Sequence, residues 1–156
     1  MNAKLCVFWQ AILLCSLGAC GGGGGGGGGG DFIGVWGMSL SYSAAESTCG
    51  VSPSELGLSH HVEPLYQINQ NGSNIAAENM SSGYTMTGST VDDGDGVIAT
   101  HPEPGIGCPG GSATTTLVLA NLDGDYADCV MAMTLSCPTY MPPQCDMVYI
   151  GGAYRE

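Results

Sequence analysis

The chain has 156 residues, of which 14 are acidic and only two, Lys4 and Arg155, are basic, so its formal net charge at pH 7 is −12. Binding to nucleic acid requires lysine and arginine side chains that neutralise phosphates. The composition therefore excludes a nucleic-acid partner, and an anionic membrane surface would repel the chain in the same way. The negative charge instead fits a cationic partner.

The first 19 residues have the layout of a secretory signal peptide. Lys4 provides a weakly positive start, residues 5–17 are mostly apolar, and the small residues Gly18 and Ala19 follow. A transmembrane helix needs roughly 20 uninterrupted apolar residues, and this run is shorter. We expect residues 1–19 to be removed as a signal peptide.

The tetrapeptide Leu17-Gly18-Ala19-Cys20 resembles the lipobox of bacterial lipoproteins. The resemblance implies that the Cys20 sulfur is diacylated, that the chain is cut just before it, and that the new amino terminus is acylated. Ordinary signal-peptidase cleavage is the alternative, but that enzyme favours a small residue where Leu17 stands. Gly21 after the cysteine, where retained lipoproteins have aspartate, implies the outer membrane of a bacterial envelope.

Ten consecutive glycines, residues 21–30, follow the cysteine. Glycine loses the most backbone entropy on ordering and has no side chain to bury, so this tract is predicted to be a random coil. With Cys20 it forms a tether, residues 20–30, of about 16–19 Å root-mean-square reach. The remaining residues, 31–156, have the length of one domain.

Within residues 31–156 the apolar side chains alternate with a period of two, which predicts β-strands. Most of the connections contain turn residues, such as Asn71-Gly72. Eight strands are predicted, over residues 32–42, 65–70, 73–78, 84–91, 97–101, 114–121, 126–137 and 147–154, with one helical turn over residues 54–58. Eight sequential strands favour an all-β, up-and-down antiparallel barrel, since closure removes the exposed edges. A β-sandwich is the alternative.

Gly34-Val35-Trp36 on the first strand and Arg155 after the last resemble the Gly-x-Trp motif and terminal arginine of lipocalin-like barrels. The resemblance implies that Arg155 stacks on the Trp36 ring and closes the barrel floor, and that the barrel holds a cavity for a small apolar ligand. The Thr-Asp-Tyr motif and the C-terminal helix of true lipocalins are missing. The match therefore rests on Gly34, Trp36 and Arg155.

Five cysteines remain in residues 31–156, which allows 15 arrangements of two disulfides and one thiol. Cys137 and Cys145 bracket the connection between the last two strands, so we expect this pair first. Cys129 lies in an apolar row and is predicted to be a buried thiol, which leaves Cys49 with Cys108. No close pair has the spacing of a zinc site.

No catalytic motif is found, and we expect neither an enzyme nor a cofactor. One pattern occurs twice, in His61-Val62-Glu63 and His101-Pro102-Glu103, and the histidine and glutamate side chains of the two segments could share a metal ion. Both segments are, however, predicted loops, where histidines are usually solvated. Other acidic and sulfur-containing groups are predicted to be turn and core residues: Asp92, Asp93, Asp95, Asp123, Asp125, Met131, Met133, Met141 and Met147.

Two classes of function follow. One is a membrane-anchored binding module for a small apolar ligand or a partner protein. The other is a structural or adhesion lipoprotein without a small ligand, or an acidic domain that binds cations. The two differ in whether Trp36, Met38, Leu40, Tyr42, Met131 and Met133 fill the barrel, since eight strands enclose room for side chains or one small ligand.

Overall fold

The structure is a computed structural model that describes residues 31–91, 96–104, 111–137 and 144–156, without the side chains of residues 103 and 104. Several predictions made from the sequence fall outside the described residues. They concern the signal peptide, Cys20 and its glycine tether, Cys108, the Asp92, Asp93 and Asp95 turn, the Glu103 side chain and Met141.

The described chain consists of nine strands and a short 3-10 helix at Pro53–Leu56. The strands are β1 (Gly34–Tyr42), β2 (His61–Val62), β3 (Leu65–Asn71), β4 (Asn74–Asn79), β5 (Thr85–Val91), β6 (Gly96–Pro104), β7 (Ser112–Asp123), β8 (Tyr126–Ser136) and β9 (Gln144–Arg155). Eight of them correspond to the strands predicted from the alternating pattern. β6, β7 and β9 extend beyond their predicted ends by two or more residues.

The strands form one closed antiparallel barrel. Each strand from β3 to β8 pairs with the next, and β1 pairs with both β3 and β9. Closure is made by the long β1–β9 ladder, which runs from Trp36 opposite Arg155 to Tyr42 opposite Tyr149. The fold is therefore the all-β, eight-stranded up-and-down barrel predicted from the sequence, lipocalin-like in its strand order, and the alternative sandwich is wrong.

The ninth strand, β2, was not predicted. Its two residues pair with Leu40 and Ser41 and continue the line of β3 after an interruption at Glu63 and Pro64. Proline has no N–H to give to a ladder, which explains the break. The Pro64 carbonyl still accepts a hydrogen bond from the Met38 backbone N–H at 3.0 Å. β2 and β3 together therefore cover one edge of β1.

Two glycines allow the strands to bend around the barrel. A Cβ at Gly88 would overlap the carbonyl oxygen of Ile98 on the neighbouring strand, and a Cβ at Gly151 would overlap that of Ser39. Glycine in the interior of a strand is expected at such close approaches. A side chain at either position would force the neighbouring strands apart.

The predicted disulfide pairing is wrong, because Cys49 bonds to Cys145, with a Cα–Cα distance of 4.7 Å. Leu135 lies opposite Cys145 in the β8–β9 ladder, so Cys137 is two residues further along. Diagonal neighbours of this kind have Cα atoms roughly 7–8 Å apart, beyond the usual reach of a disulfide. Neither Cys137–Cys145 nor Cys49–Cys108 forms.

The chain after β1 brings Cys49 to its partner by continuing along β9. The Ser43 N–H donates to the Val148 carbonyl, and the Thr48 N–H donates to the Asp146 carbonyl, both at 2.8 Å. Cys137 is also disulfide-bonded. Cys129 is a free, buried thiol, as the alternating pattern predicts, and its burial raises its pKa well above the usual range.

Candidate functional site

The first candidate site is the barrel interior, where the lipocalin resemblance implies a ligand cavity. A cavity large enough for a ligand would leave accessible surface on the side chains that line it. The large inward side chains of the core cluster are instead at most 8% exposed. They include Trp36, Met38, Leu40, Leu117, Met131 and Tyr149. Tyr42 and Met133 pack against this cluster and are half-buried, so the described interior is filled mainly by its own side chains.

Trp36 and Arg155 meet at the end of the barrel where β1 begins and β9 ends. The Arg155 guanidinium carbon lies 5.0 Å from the centre of the Trp36 ring, within the range of a cation–π contact. The indole N–H of Trp36 donates to the Phe32 carbonyl at 2.8 Å, and the Phe32 ring lies 6.2 Å from the indole. The contact that the family resemblance implies is therefore present, and it closes this end of the barrel.

The surroundings of Arg155 explain the glycine two residues before Trp36. Gly34 has a φ of +137°, and a Cβ there would lie 3.4 Å from Cγ and Cδ of Arg155. The guanidinium donates to the Asp31 carbonyl, and its Nη1 lies 3.9 Å from Oδ1 of Asp125. Its buried Nε has no hydrogen-bond partner in the part of the chain that the structure describes. Arg155 therefore ties the start of β1, the β7–β8 hairpin and the end of β9 together.

The proposed metal ligands do not come together. His61 and Glu63 form a local pair, with Nε2 and Oε1 3.3 Å apart, and His61 Nδ1 lies 3.2 Å from the Ser41 hydroxyl. His101 stands on β6 and stacks on the Tyr84 ring, with ring centres 4.9 Å apart. β4 and β5 lie between the two histidines in the sheet. Among the described residues no group of three or more His, Cys, Asp or Glu could hold a metal ion.

The other polar and sulfur candidates have structural surroundings where they are described. Asp125 contacts Arg155, both through its side chain and through its carbonyl, which accepts the Arg155 N–H at 2.8 Å. Met147 is buried, and its sulfur lies 3.8 Å from the Tyr149 hydroxyl. The Met133 position faces Met147 across the β8–β9 ladder. These contacts fit the predicted roles in a turn and in the core.

A groove of about 430 Å³ runs along the outer face of β1, a feature that sequence reasoning missed. Because Met38 points into the core, its neighbours Gly37 and Ser39 point outward, and they give this face almost no side-chain volume. Gly37 lies opposite Leu65 on one side and Tyr154 on the other. These two side chains form the walls of the groove, and the gap between them exists because position 37 is glycine.

Two carboxylates line the same groove. Glu156 Oε1 would lie 3.2 Å from a Cβ at Gly37, so this carboxylate stands over the floor, and the Glu156 N–H donates to the Val35 carbonyl at 3.0 Å. Glu63 is exposed and lies beside Pro64 in the interruption between β2 and β3. The groove is thus an apolar slot with negative charge at its floor and rim.

The aromatic wall of the groove is supported from behind. The Tyr154 ring is 55% exposed and lies 5.1 Å from the Tyr126 ring. The Tyr126 ring in turn covers Gly152, and its hydroxyl donates to Asp128 at 3.0 Å. This hydrogen bond raises the pKa of Tyr126. Tyr154 is thus an exposed aromatic held in place, and the alternation of β9 alone, which marks it as outward, could have suggested it.

No protein-family model, curated protein or solved structure matches the chain. Within the described ranges, no helix is long and apolar enough to cross a membrane.

Proposed function

We propose that this protein is a lipoprotein of the bacterial envelope, anchored through Cys20 in the outer membrane, whose barrel is a non-enzymatic module that binds a partner protein on its outer surface. The observation that carries the proposal is an acidic, disulfide-linked barrel whose described interior is filled mainly by its own side chains, after a lipobox-like cysteine and ten glycines. Disulfides persist in oxidising compartments outside the cytosol, which agrees with export.

The anchor follows from the chemistry of the cysteine. A thiolate forms a stable thioether with a lipid, and three acyl chains such as palmitate exceed the two signals that stable membrane attachment requires. The glycine tract then allows the barrel to move about 16–19 Å from the lipid surface. Because the domain is strongly acidic, repulsion from an anionic surface keeps it away from the membrane and free to meet a partner.

The filled interior favours a partner on the outside over a small apolar ligand within. Binding a ligand inside would require displacement of large side chains such as Met38, Leu40 and Tyr149, each at most 3% exposed. Displacing packed core side chains costs several kcal/mol. The outer groove along β1 needs no such change.

Metabolic labelling with palmitate in the native host tests the anchor. We expect Cys20→Ser to abolish labelling and to leave an uncleaved or soluble product, because serine cannot form the thioether. Cys15→Ser, which changes a cysteine of the predicted signal peptide, is the matched control and should label normally. Undiminished labelling of Cys20→Ser would contradict the proposal.

Native mass spectrometry of protein purified from its own host tests the filled interior. The expected mass is that of the acylated polypeptide alone. A small apolar molecule retained in stoichiometric amount would instead support a ligand-binding barrel and refute an outward-facing function.

A further inference from the structure

We propose that the groove along β1 binds a lysine or arginine side chain presented by a basic segment of a partner protein. The inference rests on the proposed function, because it specifies where that binding module would take its partner. It stands on the shape of the groove, on the chemistry of its walls and on the charge of the whole domain, each of which points to the same occupant.

The shape fits one extended side chain. Gly37 and Ser39 form the floor, and the directly opposed Leu65 and Tyr154 form the walls. Lysine and arginine carry an apolar stem of three or four methylene groups that packs along apolar surface while the charged head stays in water. Such a stem would lie between Leu65 and the Tyr154 ring, covering the exposed tyrosine and the remaining accessible surface of the half-buried leucine.

The charges fit a cationic head. Glu156 stands over Gly37, and Glu63 lies about two residues, or roughly 7 Å, further along β1 by the rise of a strand. A guanidinium or ammonium group over Gly37 would contact the Glu156 carboxylate, with Glu63 further along the same groove, and the face of Tyr154 would add a cation–π contact. Glu63 is oriented by its contact with His61, whose ring is itself placed by Ser41.

The wider electrostatic field favours the same partner. The 14 acidic residues of the chain all lie after residue 30, where Arg155 is the single basic side chain. That arginine is occupied by Trp36, Asp31 and Asp125 at the end of the barrel. Such a field accelerates the approach of a basic segment and repels an acidic one. The field around the groove therefore attracts a positively charged segment, which is also the charge that the groove itself would bind.

The test measures binding of a fluorescein-labelled peptide in which two arginines alternate with three glycines to the full chain at low salt. The control peptide replaces both arginines with citrulline, which keeps the shape and removes the charge. We expect the arginine peptide to bind and the citrulline peptide to bind about tenfold more weakly or not at all, with the difference shrinking as salt is raised.

Matched variants separate the groove from the general charge. Glu63→Gln with Glu156→Gln should weaken binding about tenfold, whereas Glu46→Gln with Glu78→Gln, the same change of net charge elsewhere, should change it less than about twofold. Tyr154→Ala should weaken binding, and Tyr84→Ala, an equally exposed tyrosine on the far side, should not. Equal effects of the two glutamate pairs would overturn the proposal.

A covalent measurement keeps the test decisive if a variant folds poorly. Carbodiimide coupling of the wild-type protein to the same peptide with lysine in place of arginine should join the lysine to Glu63 or Glu156, mapped by mass spectrometry. Coupling spread evenly over the acidic residues, or no binding of the peptide by the wild-type protein, would overturn the proposal that the groove is the binding site. Either result is distinguishable from failure of the proposed lipoprotein, which palmitate labelling of Cys20 tests independently.

Discussion

The two ends of the barrel are held by different means. At one end, where β1 begins, the strands are joined by short turns such as Asn71–Asn74 and Asp123–Tyr126, and the closing contact is a single arginine on a tryptophan. At the other end a long connection follows β1, and its closing contact is a disulfide. One end thus depends on a side-chain contact and the other on a covalent bond.

The long connection between β1 and β2 also packs against the barrel. Leu56 and Leu58 contact the core cluster, the Tyr149 hydroxyl donates to the Ser59 carbonyl at 2.9 Å, and Tyr42 and His60 meet edge to face. These contacts are scattered over a segment with little secondary structure. In this barrel the end with short turns is held by one side-chain contact, whereas the long connection is held by a covalent bond together with several weak contacts.

The largest expected effect is loss of the covalent bond. The double variant Cys49→Ser with Cys145→Ser should lower the free energy of unfolding by about 3–5 kcal/mol, because the disulfide joins residues separated by 96 positions and restricts a long loop of the unfolded chain. Urea unfolding followed by the fluorescence of Trp36 measures it. Trp9, the other tryptophan, belongs to the predicted signal peptide.

Cys129→Ala is the control for that variant, because Cys129 is a cysteine without a disulfide. It should cost only about 1 kcal/mol as a small buried side chain. An equal loss of stability in both would mean that the bridge adds nothing specific. Non-reducing peptide mapping should also recover Cys49–Cys145 and join Cys137 to Cys108, the cysteine that remains within residues 31–156.

The next effect concerns the opposite end. Arg155→Ala should lower the free energy of unfolding by about 1–2 kcal/mol and change the Trp36 emission, because the variant removes the stacked cation and leaves the indole more exposed. Arg155→Lys should retain part of the stability, since an ammonium can still lie over the ring but cannot reach Asp31 and Asp125 together. An unchanged urea midpoint with an unchanged spectrum would contradict a clamp at this end.

A smaller effect is expected from one contact of the long connection. Tyr149→Phe removes the hydrogen bond to the Ser59 carbonyl and should cost about 1 kcal/mol. Hydrogen exchange should speed up in residues 53–60 and stay constant at the Trp36 end. Faster exchange at both ends would show that the two ends are not independent.

The same contrast explains what the sequence could predict. The strands and the barrel follow from alternation and short turns, which are local signals, and the Trp36–Arg155 contact follows from the resemblance to lipocalin-like barrels. The Cys49–Cys145 disulfide does not follow from such signals. Extending the β1–β9 ladder past Tyr42 and Tyr149 without a break would place Glu46 opposite Cys145, and the turn at residues 44–46 brings Cys49 there instead. No pattern along the chain encodes that shift.

The groove was missed for a related reason. In the sequence, Gly37 is only a residue of low β-propensity within a predicted strand, and nothing marks it as part of a site. Leu65, Tyr154 and Glu156 are distant from it along the chain. Only the pairing of β1 with both β3 and β9 places them around it. A site formed by the register between distant strands can be predicted only when the closure of the barrel is known. A site within one hairpin can be predicted from residues that are close in the sequence.

The smallest expected effect is a pKa change within the long connection. The Ser52 N–H and hydroxyl both donate to the Glu55 carboxylate, at 2.7 and 2.8 Å, and they lower the pKa of Glu55 from its ordinary value of 4.5. The contact therefore stabilises the 3-10 helix above pH 4.5, and this contribution is lost as the pH falls through the lowered pKa.

Ser52→Ala should move the pKa of Glu55 upward, measured by NMR titration of its carboxyl carbon. Ser54→Ala, which leaves both donors of Ser52 in place, should leave the titration unchanged. Identical titrations in the two variants would show that Ser52 does not hold the Glu55 carboxylate, and that this end of the barrel depends on its disulfide and on its other contacts, such as the Tyr149–Ser59 hydrogen bond.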